Sequence, residues 1–183
     1  MPQRPHAFAP AAALMALALS GCMAAMPGPA PAPLAWETVG VSALRNAQGL
    51  VVGDAQVRRR GGEWQLAIGI SGQKPGPHGI HLHQVGACDA PDFASAKGHL
   101  NPAGKQHGAD NPAGMHMGDM PNLEIAAGGM ASTVIPLAAG LDPETLFDAD
   151  GTAIVVHAGP DDYRTDPSGN SGARLACGVL SRP

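Results

Sequence analysis

The sequence predicts an all-β domain, folded as an antiparallel β-sandwich or barrel. Short runs of alternating or β-branched residues follow one another, and turn sequences separate them. The chain has 25 glycines and 18 prolines, a composition that indicates frequent turns. No long stretch has the apolar period of a helix. Aromatic residues make up only 3% of the chain, so we expect an aliphatic core.

Eight runs are predicted to be strands. They are, in chain order, Trp36–Leu44, Leu50–Arg59, Glu63–Ser71, Gly79–Val85, Asn122–Ala126, Met130–Pro136, Thr152–His157 and Leu175–Leu180. The turn sequences Asn46–Gly49 and Arg60–Gly62 separate the first three runs, as in successive hairpins. About 150 residues follow Trp36, enough for one domain with a sizeable core, and we assign residues 36–183 to it.

The first residues of the chain have the pattern of an export signal. Arg4 is the only charged residue before an apolar run from Ala7 to Leu19, which is too short to span a bilayer comfortably. The run ends in Leu19-Ser20-Gly21-Cys22, which resembles the bacterial lipobox, where the signal is removed and the cysteine is lipidated. We therefore expect residues 1–21 to be a lipoprotein-type signal peptide and Cys22 to carry a lipid anchor.

Residues 22–35 are expected to form a tether. Met26–Pro33 is rich in proline and alanine, which favours an extended, poorly packed chain that holds the domain off a membrane of the periplasm or cell envelope. The alternative is ordinary cleavage near Ala24 or Ala25, which would leave a soluble product. Removal of residues 1–21 takes away Arg4 and changes the formal net charge from −4 to −5, a balance that gives no indication of nucleic-acid binding.

Six histidines and an aspartate in ordered short motifs predict a metal centre. They are His81, His83, His99, His107, His116, His157 and Asp119. Residues two apart in a strand point to the same face, about 7 Å apart, so His81 and His83 can contact one ion. The glycine- and proline-rich sequence around His107 and His116 suits a loop that folds back on a second ion. Two four-coordinate ions need eight ligand positions, so one ligand would be shared unless a water fills one position.

His99 is the candidate for the shared ligand, because it lies between the two groups in sequence. An imidazole has two ring nitrogens and can bridge two cations when both protons are lost. The other histidine near these motifs, His78, is expected to be a turn or rim residue. The methionines at 115, 117 and 120 are expected to fill gaps, although thioethers can also bind Cu(I).

The ordered motifs resemble those of the copper/zinc superoxide dismutases, and specifically the exported bacterial ones. The matching segments are Gly79–His83, Gly98–Pro102, Lys105–Gly108, His116–Asp119, Val155–His157 and Gly172–Val179. The resemblance extends from about Thr38 to the end of the chain. It implies an eight-stranded antiparallel Greek-key β-barrel with long metal-binding loops.

The resemblance also assigns the ligands to copper and zinc. The copper ligands it implies are His81, His83, His99 and His157. The zinc ligands it implies are His99, His107, His116 and Asp119, with His99 as the bridge. Four imidazoles suit Cu(II), and three imidazoles with a carboxylate suit tetrahedral Zn(II). From the residues alone, two zinc ions remain an alternative.

The cysteines agree with export. Cys22 is assigned to lipid, and the remaining pair, Cys88 and Cys177, matches the family's disulfide; an even pair in an exported chain usually forms one. Two reduced core thiols are the alternative. A homodimer is compatible with the family, but the short segment between Cys88 and His99 weakens the expectation of the family's dimer interface.

Two further residues carry roles implied by the resemblance. Asp161 matches the aspartate that orients one copper and one zinc histidine through hydrogen bonds. Arg174 matches the active-site arginine, whose guanidinium attracts a small anion beside the copper. The function implied is dismutation of superoxide, with His99 also passing a proton to the product. The alternative is a non-catalytic periplasmic copper/zinc-binding protein with the same ligands.

Overall fold

The computed structural model describes Met1 and residues 34–183, and residues 34–183 form one unit of the chain. Cys22 and most of the expected signal and tether lie outside the described residues. The unit is built from nine β-strands: β1 (Glu37–Asn46), β2 (Val51–Arg60), β3 (Glu63–Ile70), β4 (Gly76–His78), β5 (Ile80–His83), β6 (Leu123–Ile125), β7 (Ala131–Pro136), β8 (Ala153–His157) and β9 (Arg174–Val179). The all-β, antiparallel prediction is confirmed.

The strands pair in two sheets whose order follows a Greek key. Seven strands form one sheet in the order β5-β8-β9-β1-β2-β3-β7, and β4 pairs with β6 in a second. β1, β2 and β3 are joined by hairpins, as the turn sequences predicted, whereas β5, β8 and β9 come together from distant parts of the chain. Every strand pair in residues 34–183 is antiparallel, so no connection within this unit is a parallel crossover.

The predicted strand Gly79–Val85 is shorter in the structure, where it corresponds to β5, and an additional strand that was not predicted, β4, precedes it. Residues 76–78 pair with β6, residues 80–83 pair with β8, and Gly79 lies between the two. The Gly79 N–H donates to Gly159 O, and Gly79 O accepts from His157 N–H, so this backbone turns from one sheet to the other against a neighbouring loop. Counting β4 and β5 as one bent strand gives the eight that the sequence predicted.

The alternating pattern of β5 and β8 separates an aliphatic core from a histidine-rich face. Ile80 and Leu82 enter the main core together with Ile154 and Val156. The intervening residues face the other side of the sheet, where Val155 packs in a smaller cluster with residues that include Phe93 and Cys177. Both faces of these strands are buried, because the long segment after β5 covers the outer one.

Within residues 34–183, regular helix is confined to two short turns that the sequence did not predict. A 3₁₀ turn spans Ala94–Ala96, and α1 spans Pro143–Leu146. Asp142 caps α1 by accepting a hydrogen bond from Thr145 N–H, and Pro143 at the first helical position fits its fixed φ. No helix in the described part of the chain is long and apolar enough to cross a bilayer.

The bend at Gly79 leads to a stability prediction. A Cβ added at Gly79 would lie 2.7 Å from Ser171 Cβ, so we expect Gly79→Ala to lower the free energy of unfolding by about 1–3 kcal/mol through overpacking. Gly62→Ala is the matched control, because a Cβ there meets no atom within 4 Å. Urea unfolding of the metal-free chain measures both. Equal midpoints for the two variants would contradict the close approach.

Candidate metal centre

The segment after β5 brings the remaining motif residues onto the histidine-rich face. Leu82 N–H donates to Gly118 O, and Leu82 O accepts from Leu100 N–H, so two stretches of this segment dock against β5. Gly118 is required there, because a Cβ would lie 2.2 Å from Leu82 O. As a result, His99 lies beside His83 and Asp119 lies beside His81, each pair joined as an isolated β-bridge.

The first cluster consists of four buried imidazoles. They belong to His81, His83, His99 and His157. Each ring contributes one nitrogen, and these four nitrogens all lie within 4.8 Å of one another. In each of these rings one buried nitrogen has no hydrogen-bond partner: Nδ1 of His81 and Nε2 of the other three. A buried polar atom without a partner is destabilising, so four such atoms converging on one point need an external partner.

The hydrogen bonds of the opposite ring nitrogens determine the tautomers. His83 Nδ1 donates to Lys97 O at 2.9 Å, and His157 Nδ1 donates to Gly172 O at 3.2 Å. His81 Nε2 donates to Asp161 Oδ2 at 2.7 Å. A carbonyl or carboxylate oxygen accepts only, so the proton sits on these nitrogens and the unpartnered nitrogens carry lone pairs.

Burial keeps these rings neutral. Burial, together with the neighbouring His99, lowers the pKa of His83 to about 2. Burial also lowers the pKa of His81 to about 3, against the hydrogen bond to Asp161, and that of His157 to about 4. The three rings therefore hold lone pairs ready for a cation at neutral pH, because no proton competes for them.

The second cluster is centred on one carboxylate oxygen. Asp119 Oδ1 lies 2.8 Å from His99 Nδ1, 3.0 Å from His107 Nδ1 and 3.2 Å from His116 Nδ1. The Nδ1 atoms of His116 and His99 are 3.3 Å apart. Donors bound to one tetrahedral Zn(II) at 2.0–2.1 Å are separated by about 3.3 Å, so these four atoms already have the spacing of a zinc site.

His81 also lies close to the second cluster. One of its ring nitrogens is within 4.8 Å of donor atoms of His99, His107 and Asp119. The rings of His81 and His99 stack at 3.9 Å between centroids, which brings their atoms close together. However, His81 Nε2 is already bonded to Asp161, and His81 Nδ1 belongs to the first cluster. His116 Nδ1 contacts only atoms of the second cluster, and we therefore take it as the fourth donor.

Two carboxylates stabilise the second cluster. Burial opposes charge on His107, but hydrogen bonds from its ring to Asp119 and Asp161 outweigh burial and raise its pKa to about 9. The same bonds hold the pKa of both carboxyls well below its usual range, although burial acts in the opposite direction. Asp119 also accepts from the backbone N–H groups of Gly108 and His116 through Oδ2, so its orientation is fixed.

Asp161 links the two clusters. Its Oδ2 accepts from His81 Nε2 of the first cluster, and its Oδ1 accepts from His107 Nε2 of the second at 2.9 Å. The carboxylate is itself anchored, because Tyr163 N–H donates to Oδ1 and the Asn122 side chain pairs with the Asp161 backbone. The structure thus shows the pair of histidine contacts that the resemblance implied for this residue.

His99 lies between the clusters with one nitrogen directed into each. Its Nδ1 contacts Asp119 Oδ1, and its Nε2 is the buried, unpartnered atom of the first cluster. The ring contacts those of His81 and His83 on one side and those of His107 and His116 on the other. No other histidine in residues 34–183 has this arrangement.

Arg174 lies at the margin of the first cluster. It begins β9 opposite His157, and its guanidinium donates to Phe93 O at 2.5 Å and to Lys97 O at 2.6 Å. Lys97 O therefore accepts from both Arg174 and His83. The shared acceptor places the guanidinium beside His83, and its positive charge adds to the effect of burial in lowering the pKa of His83 and His157.

The segment that carries these carbonyls is fixed by a disulfide. Cys88 and Cys177 are bonded, as the resemblance implied, and they connect the segment after β5 to β9 only three residues beyond Arg174. Phe93 and Lys97 both have positive φ, of 55° and 62°, and flank the 3₁₀ turn. This backbone, which favours glycine, turns both carbonyls toward the guanidinium.

The structure revises the interpretation of His78. The side chain is buried instead of lying at a turn or rim, and it is part of neither cluster. Its Nδ1 lies 2.7 Å from His157 O, and its Nε2 lies 2.9 Å from Lys74 O. His78 thus supports the strand end that carries His157, a role that sequence spacing did not indicate. The methionines at 117 and 120 pack with the hydrophobic core, as expected of gap-filling residues.

The donor sets fit two different cations. Four neutral imidazoles suit Cu(II), which prefers nitrogen ligands, and three imidazoles with a carboxylate suit Zn(II). Copper and zinc are the metals that the resemblance implied. The fit rests on the four orphaned nitrogens of the first cluster and on the tetrahedral spacing of the second.

Comparison with known proteins points the same way. Residues 51–180 match the family model described as copper/zinc superoxide dismutase. The chain is 41% identical over 143 residues to superoxide dismutase [Cu-Zn] 2 of Aquifex aeolicus, covering 75% of this chain and 83% of that protein. It is 47% identical over 122 residues to superoxide dismutase [Cu-Zn] of Caulobacter vibrioides, covering 63% and 70%.

A solved structure has the same fold. The crystal structure of a SOD-like protein from Bacillus subtilis is similar with a TM-score of 0.74 and 37% identity. The similarity covers 80% of this chain and 100% of that one. The comparison therefore includes the whole of the relative's domain and most of the unit described above.

Proposed function

The chain belongs to the copper/zinc superoxide dismutase family, and we propose that it converts superoxide to dioxygen and hydrogen peroxide at a copper centre joined through His99 to a structural zinc. The observation that carries this proposal is the convergence of four buried, unpartnered imidazole nitrogens beside a tetrahedral quartet of donors. His99 is the one residue common to both sets. The copper ligands would be His81, His83, His99 and His157, and the zinc ligands His99, His107, His116 and Asp119.

Copper, when bound, supplies one-electron transfer, so that one superoxide is oxidised to dioxygen and a second is reduced to hydrogen peroxide. The contribution of Arg174 is to attract and orient the anion. Its guanidinium is held by two carbonyl oxygens and stays close to the rings of His83 and His157. A positive charge at this margin is useful because the chain as a whole carries a formal charge of −4.

In the proposed mechanism each ring nitrogen of His99 has its own role. Nδ1 stays in the zinc quartet, where the contact with Asp119 Oδ1 fixes the ring plane. Nε2 would hold copper, and whenever it is not bound to the metal it can hold one proton; it delivers this proton to reduced superoxide, and solvent supplies the second proton of hydrogen peroxide. Asp161 holds His81 and His107 in register on either side, so the ring between them has little freedom to move.

Replacement of Arg174 tests turnover against simple metal binding. We expect Arg174→Ala to lower kcat/KM of the copper- and zinc-loaded chain about ten- to hundredfold, because a charge-assisted contact with the anion is lost. Arg164→Ala is the matched control: it removes the same charge from an exposed side chain whose ion pair with Asp110 spans 3.7 Å. An equal loss in both variants contradicts a local role. Loaded wild-type protein without turnover favours the non-catalytic copper/zinc-binding alternative.

The shared imidazole gives a spectroscopic prediction. In wild-type protein we expect the visible spectrum of the oxidised copper form to change when zinc is added, because both ions contact one ring. In His99→Ala this dependence on zinc should disappear, since the connecting group is gone. The measurement is absorption spectroscopy of copper-loaded protein with and without zinc. A His99→Ala spectrum identical to that of wild type would contradict the bridge.

We also propose that the protein is a lipoprotein of the periplasm or cell envelope, anchored through Cys22. The motif Leu19–Cys22 supports this, and a disulfide is compatible with an oxidising compartment. We expect Cys22→Ala to move the protein from the membrane to the soluble fraction of cells, because lipid attachment requires the thiol. Met23→Ala is the control and should stay with the membrane. A soluble wild-type protein would contradict the anchor.

A further inference from the structure

One histidine of the proposed zinc quartet has a ring nitrogen whose orientation the quartet does not explain. His116 Nδ1 faces Asp119 Oδ1 and His99 Nδ1. Its Nε2 points the other way, and the nearest carboxylate oxygen among the described residues is Asp166 Oδ1, at 3.8 Å. The same oxygen accepts a hydrogen bond from His107 N–H at 2.6 Å. Asp166 therefore faces two members of the quartet at once.

The other members already have such support. His107 Nε2 donates to Asp161, Asp119 Oδ2 accepts two backbone N–H groups, and the second nitrogen of His99 belongs to the first cluster. Metal-ligating histidines almost always donate their other N–H to a carboxylate, a carbonyl or water, which fixes the ring and raises its basicity. For His116, the contacts within the quartet involve only Nδ1, and the partner of Nε2 is still to be assigned.

We propose that Asp166 is a positioning residue of the zinc site, which orients His116 through Nε2 and fixes His107 through its backbone. This inference rests on the proposed function, because it takes the zinc quartet as given. The separation of 3.8 Å is about 1 Å longer than a hydrogen bond, so the carboxylate acts on Nε2 as a nearby negative charge while its Oδ1 keeps the bond from His107 N–H. Asp161 and Asp166 then form a pair of carboxylates from one segment, residues 158–173, that secures the quartet.

The two carboxylates differ in their exposure to water. The Asp161 side chain is fully buried, whereas the Asp166 side chain is 47% exposed beside the 7% exposed side chain of His116. The corner of the quartet formed by His116 and Asp166 is therefore its solvent-facing side. Asp166 thus governs how readily the ligand nearest water swings away, and so how readily zinc is released.

Zinc retention in the full chain tests this role without any measurement of activity. We expect Asp166→Asn to weaken zinc binding about ten- to hundredfold in competition with a chromophoric chelator, and to speed release of zinc. The amide still accepts from His107 N–H, so the loss reports the missing charge at His116. The visible spectrum of the Co(II)-substituted protein should also shift, because the imidazole orientation changes.

Asp162→Asn is the matched control. Asp162 lies on the same segment and accepts from Thr165 and Asn170, but it contacts no histidine. If Asp166→Asn retains zinc as well as the control and as wild type does, the inference is overturned. His116→Ala separates this result from a failure of the proposed function: if His116→Ala binds zinc as tightly as wild type, the quartet itself is wrong.

Discussion

The arrangement of the domain depends on one buried imidazole, that of His99, whose two nitrogens serve two different sets of donors. Four nitrogens of the first cluster are buried without a partner, and each such atom is destabilising by about 1–3 kcal/mol. The second cluster crowds three imidazoles around one carboxylate oxygen. A protein retains polar atoms in this state when a ligand compensates them, and two cations compensate all of them together.

The scaffold and the loops contribute to this centre in different ways. Strands β5, β8 and β9 fix His81, His83, His157 and Arg174 through sheet register, because their other face is locked in the aliphatic core. The donors from His99 to Asp119 come from a segment with little regular structure. It is held by backbone bonds to Leu82, by the disulfide and by the carboxylates of residues 158–173. Four of the seven donors therefore depend on loop contacts and not on sheet register.

Much of the fold followed from local sequence patterns, because β-branched alternation and turn residues act over short distances. The eight runs predicted as strands correspond to eight of the nine strands in residues 34–183, with shifted ends, and β4 was not predicted. The division at Gly79 escaped prediction, since it depends on Ser171 and Gly159, which are remote in sequence. The two short helical turns are each a single turn, too brief to give a period. The structure brings the six motif histidines together, but spacing along β5 accounts only for His81 and His83.

Residues that contact the predicted metal ligands without being ligands themselves were harder to predict. Asp161 could be named only through resemblance, and His78, Lys97 and Asp166 act through backbone atoms or neighbouring rings. These residues are remote in sequence from the histidines that they contact, so no short motif includes both. Lys97 has a positive φ, a backbone conformation that favours glycine. A lysine in the sequence gives no indication of that conformation.

The most direct test of the shared imidazole is anomalous diffraction from crystals of the copper- and zinc-loaded protein, measured at the absorption edges of both metals. If His99 is shared, we expect one copper peak beside its Nε2 and one zinc peak beside its Nδ1, on opposite edges of the same ring. A single metal peak, or two peaks that do not share His99, would contradict it.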